Sequence, residues 1–179
     1  MSDHITTYTG RHFNPLYPDE DLICIDDIAH SLSLLCRGNG HVKNFFSVGQ
    51  HCILCARESV ARGYSNRLSL AALLHDASEC YMSDVPRPFK KNLTGYIVQE
   101  EKLLSVIYTK YLGSPLSEEE EAKLKAIDND LLWYDLKYLL GETPPEPEPV
   151  IHVSIDYTVP PFKAVEEEYL QLFRQLSDL

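Results

Sequence analysis

Hydrophobic residues recur along this chain with the three- and four-residue spacing of amphipathic helices, which predicts an all-α fold. In the first predicted helix, Ile28, Leu32 and Leu35 lie on one face. Asp26 or Asp27 can cap the N-terminus of this helix, and the glycines of the GNG sequence that follows it end it.

The same spacing predicts five further helices, so that about six main helices form a compact bundle. Pro86 and Pro88 interrupt the pattern because proline disfavours helix at and before its own position. Ser47 caps the second predicted helix, and the third covers 66–81. The fourth covers 93–112, the fifth starts at a Ser117–Glu120 capping box and runs to about 140, and the sixth covers 162–176.

The length of 179 residues fits a single domain over 1–179, which would bury roughly 70% of its unfolded surface. Hydrophobic residues make up 44% of the chain, enough for a true core. We expect that core in residues 22–140, and a C-terminal helix within 162–177 closes the chain. Residues 141–161 are rich in proline and glutamate, so they predict an irregular loop with at most one short extended pair nearby.

The chain is strongly acidic, with a formal net charge of −11 and an isoelectric point near 5.0. Binding to nucleic-acid polymers is built from clustered Lys and Arg, so this balance argues against it. A small anionic substrate is still compatible with this composition, provided that a cation at its binding site reverses the negative electrostatic field there.

Nothing in the sequence indicates a membrane or secreted protein. No apolar run approaches the ~20 residues of a spanning helix, and the start MSDHITTYTGRHF lacks the basic and apolar regions of a signal peptide. Five cysteines are scattered through apolar stretches, which is typical of reduced thiols; Cys52 and Cys55 form a lone CxxC that we interpret as core packing. We therefore expect a cytoplasmic protein.

One apolar segment carries three ionisable residues. In AALLHDASECY, the sequence of positions 71–81, His75, Asp76 and Glu79 interrupt a helical pattern that otherwise indicates burial. An ionisable group in such a place is costly unless it is paired or bound to a metal. On a helix, His75 and Asp76 can reach one point beside the axis, and Glu79 lies one turn on from both.

Two ligands do not hold a catalytic ion, so further donors must come from other helices. His51 lies within an apolar stretch of the second helix, and Asp128 lies within LKAIDNDLLWYD on the fifth. Asp130 points about 200° away from Asp128 around that helix, so we interpret it as a solvated residue. Imidazole nitrogens together with carboxylate oxygens suit one divalent transition metal ion, namely Mn²⁺, Fe²⁺, Co²⁺, Ni²⁺ or Zn²⁺.

The pattern H…HD…D across an all-α chain resembles the HD-domain metal-dependent phosphohydrolases, and the resemblance covers about residues 7–135. The segment LLHDASECYMSDVPRPFKK is similar to the segment HDA(S/T)E…(G/S/Q)D(L/V/I)P.P.K of the bacterial 5′-deoxynucleotidases. The segment DIAHSLSLLCRGNGHVKNFFSVGQHCIL is similar to small phage- and prophage-encoded members. The resemblance implies a helical bundle of the HD type whose metal ligands are His51, His75, Asp76 and Asp128.

The same resemblance implies roles for further residues. Glu79 matches a glutamate that is catalytic in the deoxynucleotidases. Arg37 stands near the position of their phosphate-binding arginine, and Asp84 and Lys90 match the aspartate and lysine of the D.P.P.K segment at the nucleotide site. The similarity to the phage-like members also makes His41 a candidate substrate-binding residue. The simpler interpretation is that His41 is a loop residue that packs near the site.

The activity that the resemblance implies is the hydrolysis of deoxynucleoside 5′-monophosphates to deoxynucleoside and phosphate by a metal-activated water. A deoxynucleoside triphosphate triphosphohydrolase, for example one acting on dATP, is the nearest alternative. A catalytically silent HD module that binds a nucleotide or a protein is the alternative from another class. The resemblance also implies a homodimer or a higher homo-oligomer.

Overall fold

The computed structural model describes residues 3–177 of the chain. Within them, six helices have eight or more residues, which confirms the predicted all-α fold with about six main helices. Each helix in this range is too short or too polar to cross a membrane. In chain order the helices are α1 (Ile25–Leu34), α2 (Val48–Ala61), α3 (Asn66–Leu74), the single-turn α4 (Glu79–Met82) and α5 (Arg87–Lys90), α6 (Tyr96–Leu112), α7 (Glu118–Asp135) and α8 (Phe162–Ser177).

Short elements connect these helices. The two-residue strands β1 (Ile5–Thr6) and β2 (His12–Phe13) pair antiparallel. Turns of 3-10 helix occur at Glu20–Leu22 and Arg37–Gly40, and a π-helical turn, Leu136–Leu140, continues α7. The expected position of an extended pair is wrong, because the strands lie in the N-terminal arm and residues 141–161 contain none.

Helix α3 lies at the centre of the bundle. Its residues from Leu68 to Leu74 are all buried, as expected for a mainly apolar helix. Helix α2 packs along α3, and α8 packs against α1, α2 and α3, so the C-terminal helix belongs to the same core. The largest fully buried side chains include Phe13, Ile28, Leu32, Leu73, Leu74, Ile107, Ile127, Leu131 and Tyr169.

Helix α1 begins earlier than predicted. Its N-cap is Cys24, so Asp26 and Asp27 lie in the first turn, where their charges suit the helix dipole. The buried carboxylate of Asp27 accepts hydrogen bonds from the backbone N–H of Thr9 at 2.6 Å and from the Thr9 hydroxyl at 2.9 Å. Asp27 therefore holds the N-terminal arm against the bundle instead of capping α1.

Two predicted helix starts are confirmed. Ser47 accepts a hydrogen bond from the backbone N–H of Gln50 at 3.1 Å, and the Gln50 side chain accepts one from the Ser47 N–H at 3.0 Å. Ser117 and Glu120 form the same capping box at the start of α7. The first box sets where α2 begins and so places His51 in its first turn.

The predicted helix over 66–81 is wrong as a single element. Helix α3 ends at Leu74, and α4 begins only at Glu79. Between them, the N–H groups of Ala77 and Glu79 donate to carbonyl groups three residues back, at 2.9 and 3.0 Å. This spacing is that of a 3-10 turn, so His75 and Asp76 lie at a break between two helices.

Candidate metal centre

The break after α3 frees carbonyl groups that a continuous helix would pair. His75 Nδ1 lies 2.8 Å from the carbonyl oxygen of Ala72, and the Tyr169 hydroxyl donates to the carbonyl of Leu73 at 2.6 Å. Because a carbonyl oxygen only accepts, Nδ1 of His75 carries a hydrogen. Although burial opposes it, the charge of Asp76 raises the pKa of His75, so an ion that binds Nε2 would displace a hydrogen from it. Nε2 is buried and lies 3.2 Å from Asp76 Oδ2.

His51 presents the corresponding nitrogen from α2, and its side chain is fully buried. Its Nδ1 lies 3.3 Å from Asp135 Oδ2, and its Nε2 lies 3.1 Å from Asp128 Oδ1. A carboxylate beside Nδ1 favours the hydrogen on that atom and leaves Nε2 as a metal ligand, an arrangement common in metal sites.

The donor atoms of the four expected ligands lie close together; we call His51, His75, Asp76 and Asp128 the donor cluster. Asp128 Oδ1 is 3.8 Å from His75 Nε2, and Asp76 Oδ2 is 3.2 Å from the same nitrogen. Two donors about 2.1 Å from one ion lie about 3 Å apart at a right angle and about 3.4 Å apart at a tetrahedral angle. The spacings of 3.1 and 3.2 Å fit these values and that of 3.8 Å is longer, so the donor cluster is a candidate site for one divalent transition metal ion.

The charges within the donor cluster keep its carboxylates ionised. Burial acts to raise the pKa of Asp76, but His75 and Arg37 lower that pKa below its usual value. For Asp128 burial acts in the same direction, and the two histidines lower its pKa to about 2. Both side chains therefore stay anionic at neutral pH, as metal ligands must be.

Glu79, the first residue of α4, lies beside the donor cluster and is 5% exposed. Its Oε2 is a buried atom with no hydrogen-bond partner within the described chain. Burial, and after it the charges of Asp76 and Asp84, raise the pKa of Glu79 well above its usual value, although Arg37 opposes this. The Glu79 carboxyl therefore keeps its proton to higher pH than an exposed glutamate does, which suits it to transfer a proton.

Arg37 brings a positive charge to the donor cluster. It follows α1 on a 3-10 turn, and its backbone N–H donates to the carbonyl of Phe46 at 2.8 Å. Its Nη1 lies 3.6 Å from Asp76 Oδ2, and its Nη2 lies 3.3 Å from Asp135 Oδ2. Burial opposes the charge, but both aspartates raise the pKa of Arg37, so its guanidinium stays cationic and can bind phosphate oxygens.

Two curated proteins are similar to part of this chain. The uncharacterized protein YfdR of Escherichia coli (strain K12) is 42% identical over 107 residues, which cover 60% of this chain and 57% of YfdR. The uncharacterized protein RCAP_rcc00048 of Rhodobacter capsulatus is 34% identical over 127 residues, covering 67% of this chain and 64% of that protein. The chain thus spans less than two thirds of the length of either relative. No protein-family model matches it.

Two of the remaining predicted substrate residues border the donor cluster, and one does not. The charge of Asp84 raises the pKa of Glu79, whereas that of Lys90 lowers it. Lys90 Nζ also lies 2.7 Å from Glu100 Oε1. His41 is exposed in the loop after the Arg37–Gly40 turn, and within residues 3–177 no hydrogen bond or ion pair joins its side chain to the cluster.

Asp135 is a site residue that the sequence reasoning missed. Besides His51 and Arg37, its buried carboxylate contacts the Tyr157 hydroxyl, which donates to it at 3.4 Å. Asp135 is the last residue of α7 before the π-helical turn, a feature that often occurs at functional sites. The spacing in the sequence could have indicated it. Asp135 follows Asp128 by seven residues, which is two helical turns, so both side chains lie on nearly the same face of α7.

Two further sequence interpretations change with the structure. Cys52 and Cys55 are fully buried as expected, but Cys55 Sγ also lies 3.5 Å from His51 Nε2. Asp130 is not simply solvated, because Arg62 Nη2 lies 2.8 Å from its Oδ2 and its side chain is 31% exposed. The thiols thus border the donor cluster, and Asp130 forms an ion pair away from it.

Proposed function

We propose that this protein is a metal-dependent nucleotide phosphohydrolase of the HD-domain type whose best substrates are deoxynucleoside 5′-monophosphates. The observation that carries the proposal is the convergence of the donor cluster with Glu79, a buried carboxyl group whose pKa is raised. A packing role alone does not account for the buried Glu79 Oε2, which lacks a hydrogen-bond partner among the described residues.

His51, His75, Asp76 and Asp128 would hold the ion, with Mn²⁺, Fe²⁺, Co²⁺, Ni²⁺ and Zn²⁺ all compatible with their nitrogen and oxygen donors. A bound ion supplies positive charge beside the phosphoryl oxygens and lowers the pKa of the attacking water. The hydrogen bond of His75 to Ala72 keeps its ring in one orientation, so this ligand needs no rearrangement.

Glu79 and Arg37 act on the substrate. Hydrolysis adds water to phosphorus and breaks the bond between phosphorus and the 5′ oxygen, which then needs a proton. The raised pKa of Glu79 suits it to donate that proton to the leaving oxygen. The Arg37 guanidinium can hold two phosphate oxygens at once and keep the phosphorus beside the water.

In a chain of net charge −11, a bound ion together with nearby cations would offset the carboxylates of the site and admit an anionic substrate. Arg37 is joined by Lys90, whose charge acts on Glu79, and by Arg87, whose Nη2 lies 3.5 Å from Asp128 Oδ2. Asp84, which borders Glu79, is a hydrogen-bond acceptor for the sugar or base. The choice of a deoxynucleotide over other phosphate esters rests on the resemblance of residues 73–91 to the deoxynucleotidases.

A nucleotide panel tests the proposal. The ion-free protein is loaded with Co²⁺ or Mn²⁺ and incubated with deoxynucleoside mono-, di- and triphosphates and with the matching ribonucleotides. Free phosphate and a deoxynucleoside from the monophosphates are expected. Tripolyphosphate from dATP would instead favour the triphosphohydrolase, and no turnover of any nucleotide by fully loaded protein would favour the silent binding module.

Arg37→Gln and Arg57→Gln form a matched pair for the same assay. Arg57 is 54% exposed on α2 and pairs with Glu168 at 2.7 Å, away from the donor cluster. We expect the Arg37 variant to lose at least about tenfold in kcat/KM, because a charge-assisted contact to phosphate is lost, and the Arg57 variant to match the wild type. The expected homodimer or higher homo-oligomer stays a prediction, which sedimentation of the loaded protein tests.

A further inference from the structure

Two cysteine thiols lie on the helix turn that carries His51. Cys52 and Cys55 are both fully buried. The donor atoms of His51, Cys55 and His75 all lie within 4.8 Å of one another, and so do those of Cys52, His75 and Asp76. Each group contains His75, so both sulfur atoms lie close to this ligand of the donor cluster.

Ordinary core packing accounts for the burial of these thiols but not for where they lie. Cys55 Sγ is 3.5 Å from His51 Nε2, the nitrogen that Asp128 also approaches. Both sulfur-containing groups include His75, whose Nε2 is buried and lacks a hydrogen-bond partner among the described residues. By contrast, Cys24 is partly exposed, and its thiol lies 3.6 Å from Asp26 Oδ2 at the start of α1.

We propose that Cys52 and Cys55 form a sulfur face of the metal centre, through which it binds the thiophilic ions Zn²⁺ and Cd²⁺ in preference to Mn²⁺. Cys55 is the principal sulfur ligand, since it groups with both histidines. On binding, the thiol releases its proton to solvent and its sulfur donates an electron pair to the ion. Thiolate ligands favour soft ions. A site made only of the Asp76 and Asp128 carboxylates and the two imidazoles would distinguish Zn²⁺ and Cd²⁺ from Mn²⁺ less strongly. The inference rests on the metal centre of the proposed function and deepens it by naming the class of ion.

Optical titration of the ion-free protein with Co²⁺ and Cd²⁺ tests the sulfur face directly. A sulfur-to-metal charge-transfer band in the ultraviolet is expected to grow to one equivalent in the wild type. Cys55→Ser is expected to remove most of this band, Cys52→Ser to weaken it, and the matched control Cys24→Ser to leave it unchanged. Competition between Cd²⁺ and Mn²⁺ is expected to shift by about tenfold or more towards Mn²⁺ in Cys55→Ser.

The outcomes separate this inference from the proposed activity. Stoichiometric binding of both ions by the wild type without a charge-transfer band overturns the sulfur face, even if phosphate is released from nucleotides. A band that Cys24→Ser abolishes, or an unchanged ion preference in Cys55→Ser, also overturns it. A band without any nucleotide turnover supports the sulfur face and refutes the hydrolase alone. Failure of the wild type to bind any ion refutes both.

Discussion

Asp76 and Glu79 lie within one turn of each other, but their surroundings shift their pKa values in opposite directions. Despite burial, His75 and Arg37 lower the pKa of Asp76, whereas burial raises the pKa of Glu79. Asp76→Ala is therefore expected to lose ion and activity together. Glu79→Gln is expected to keep one equivalent of ion and to lose about 10²- to 10⁴-fold in kcat, the usual contribution of proton transfer.

Elemental analysis of the purified variants, combined with phosphate release from the preferred nucleotide, measures both effects. Loss of the ion from Glu79→Gln would show that this residue is a ligand and not a proton donor. Full turnover by both variants would mean that the site has been assigned to the wrong residues.

Asp135 acts through His51, so its removal should affect ion binding before it affects chemistry. In Asp135→Asn the amide can donate to Nδ1 of His51, which favours the hydrogen on Nε2, the nitrogen meant for the ion. We expect ion affinity to fall about 10- to 100-fold, measured by isothermal titration calorimetry.

Asp130→Asn is the matched control for Asp135→Asn, since Asp130 lies on the same helix and pairs with Arg62. Its ion affinity should equal that of the wild type. Equal affinities of the two variants would contradict a positioning role for Asp135.

At the scale of elements, a close approach of α1 and α2 sets the position of His51. A Cβ atom at Gly49 would lie 3.2 Å from the backbone carbonyl of Leu32 and the backbone nitrogen of Ser33. Because these are backbone atoms of a packed helix, they cannot move aside easily. Gly49 therefore permits the crossing that brings α2, and His51 with it, against the bundle.

Gly49→Ala is expected to destabilise the protein by about 1 kcal/mol in urea unfolding. Overpacking costs about 1–3 kcal/mol, and the gain in helix propensity of about 1 kcal/mol offsets only part of it. Arg57→Ala, on the exposed side of α2, is the control and should change stability by less than about 0.5 kcal/mol. A Gly49→Ala variant as stable as the wild type would show that α1 yields to the added methyl group.

At the scale of the whole molecule, buried Glu58 holds the proline-rich loop against α2. Its carboxylate accepts hydrogen bonds from the backbone N–H groups of His152 and Val153, at 2.8 and 3.1 Å, and from Arg62 Nε at 2.8 Å. Burial opposes the charge, but the bonds from His152 and Arg62 lower the pKa of Glu58. One ionised side chain thus holds residues 152 and 153 of the loop between α7 and α8 against α2.

Because the folded pKa of Glu58 lies below its unfolded value of about 4.5, its stabilisation is fully present above that pH. It is lost as the pH falls through the lower folded pKa. Glu58→Gln should lower the free energy of unfolding by about 2 kcal/mol at neutral pH, and the difference from the wild type should shrink on acidification below about pH 4.

Urea unfolding of wild type and variant across this pH range makes the measurement. Glu168→Gln, whose side chain is 40% exposed, is the control and should change stability by less than about 0.5 kcal/mol. If the loss of unfolding free energy in Glu58→Gln does not vary with pH, the ionised form of Glu58 is not what stabilises the loop.

Features that depend on neighbours along the chain could be predicted from the sequence. Helix period and capping residues are local, so the six main helices, the N-cap at Ser47 and the capping box at Ser117 follow from them. The break at His75 carries no proline or glycine and was missed. Part of its support comes from α8, where Tyr169 satisfies the freed carbonyl of Leu73 from 96 residues away.

The sequence by itself determined the helical class and indicated which residues are candidate metal donors, because periodicity and donor chemistry are properties of the residue order. Only the tertiary structure decided how those donors meet. The break after α3 frees the carbonyl that holds His75, and the packing of α7 against α2 brings Asp128 and Asp135 to the two nitrogens of His51. The tertiary structure also separates His41 from the candidate site and brings the thiols of Cys52 and Cys55 to it. Exposure and distance depend on contacts between residues far apart in the chain.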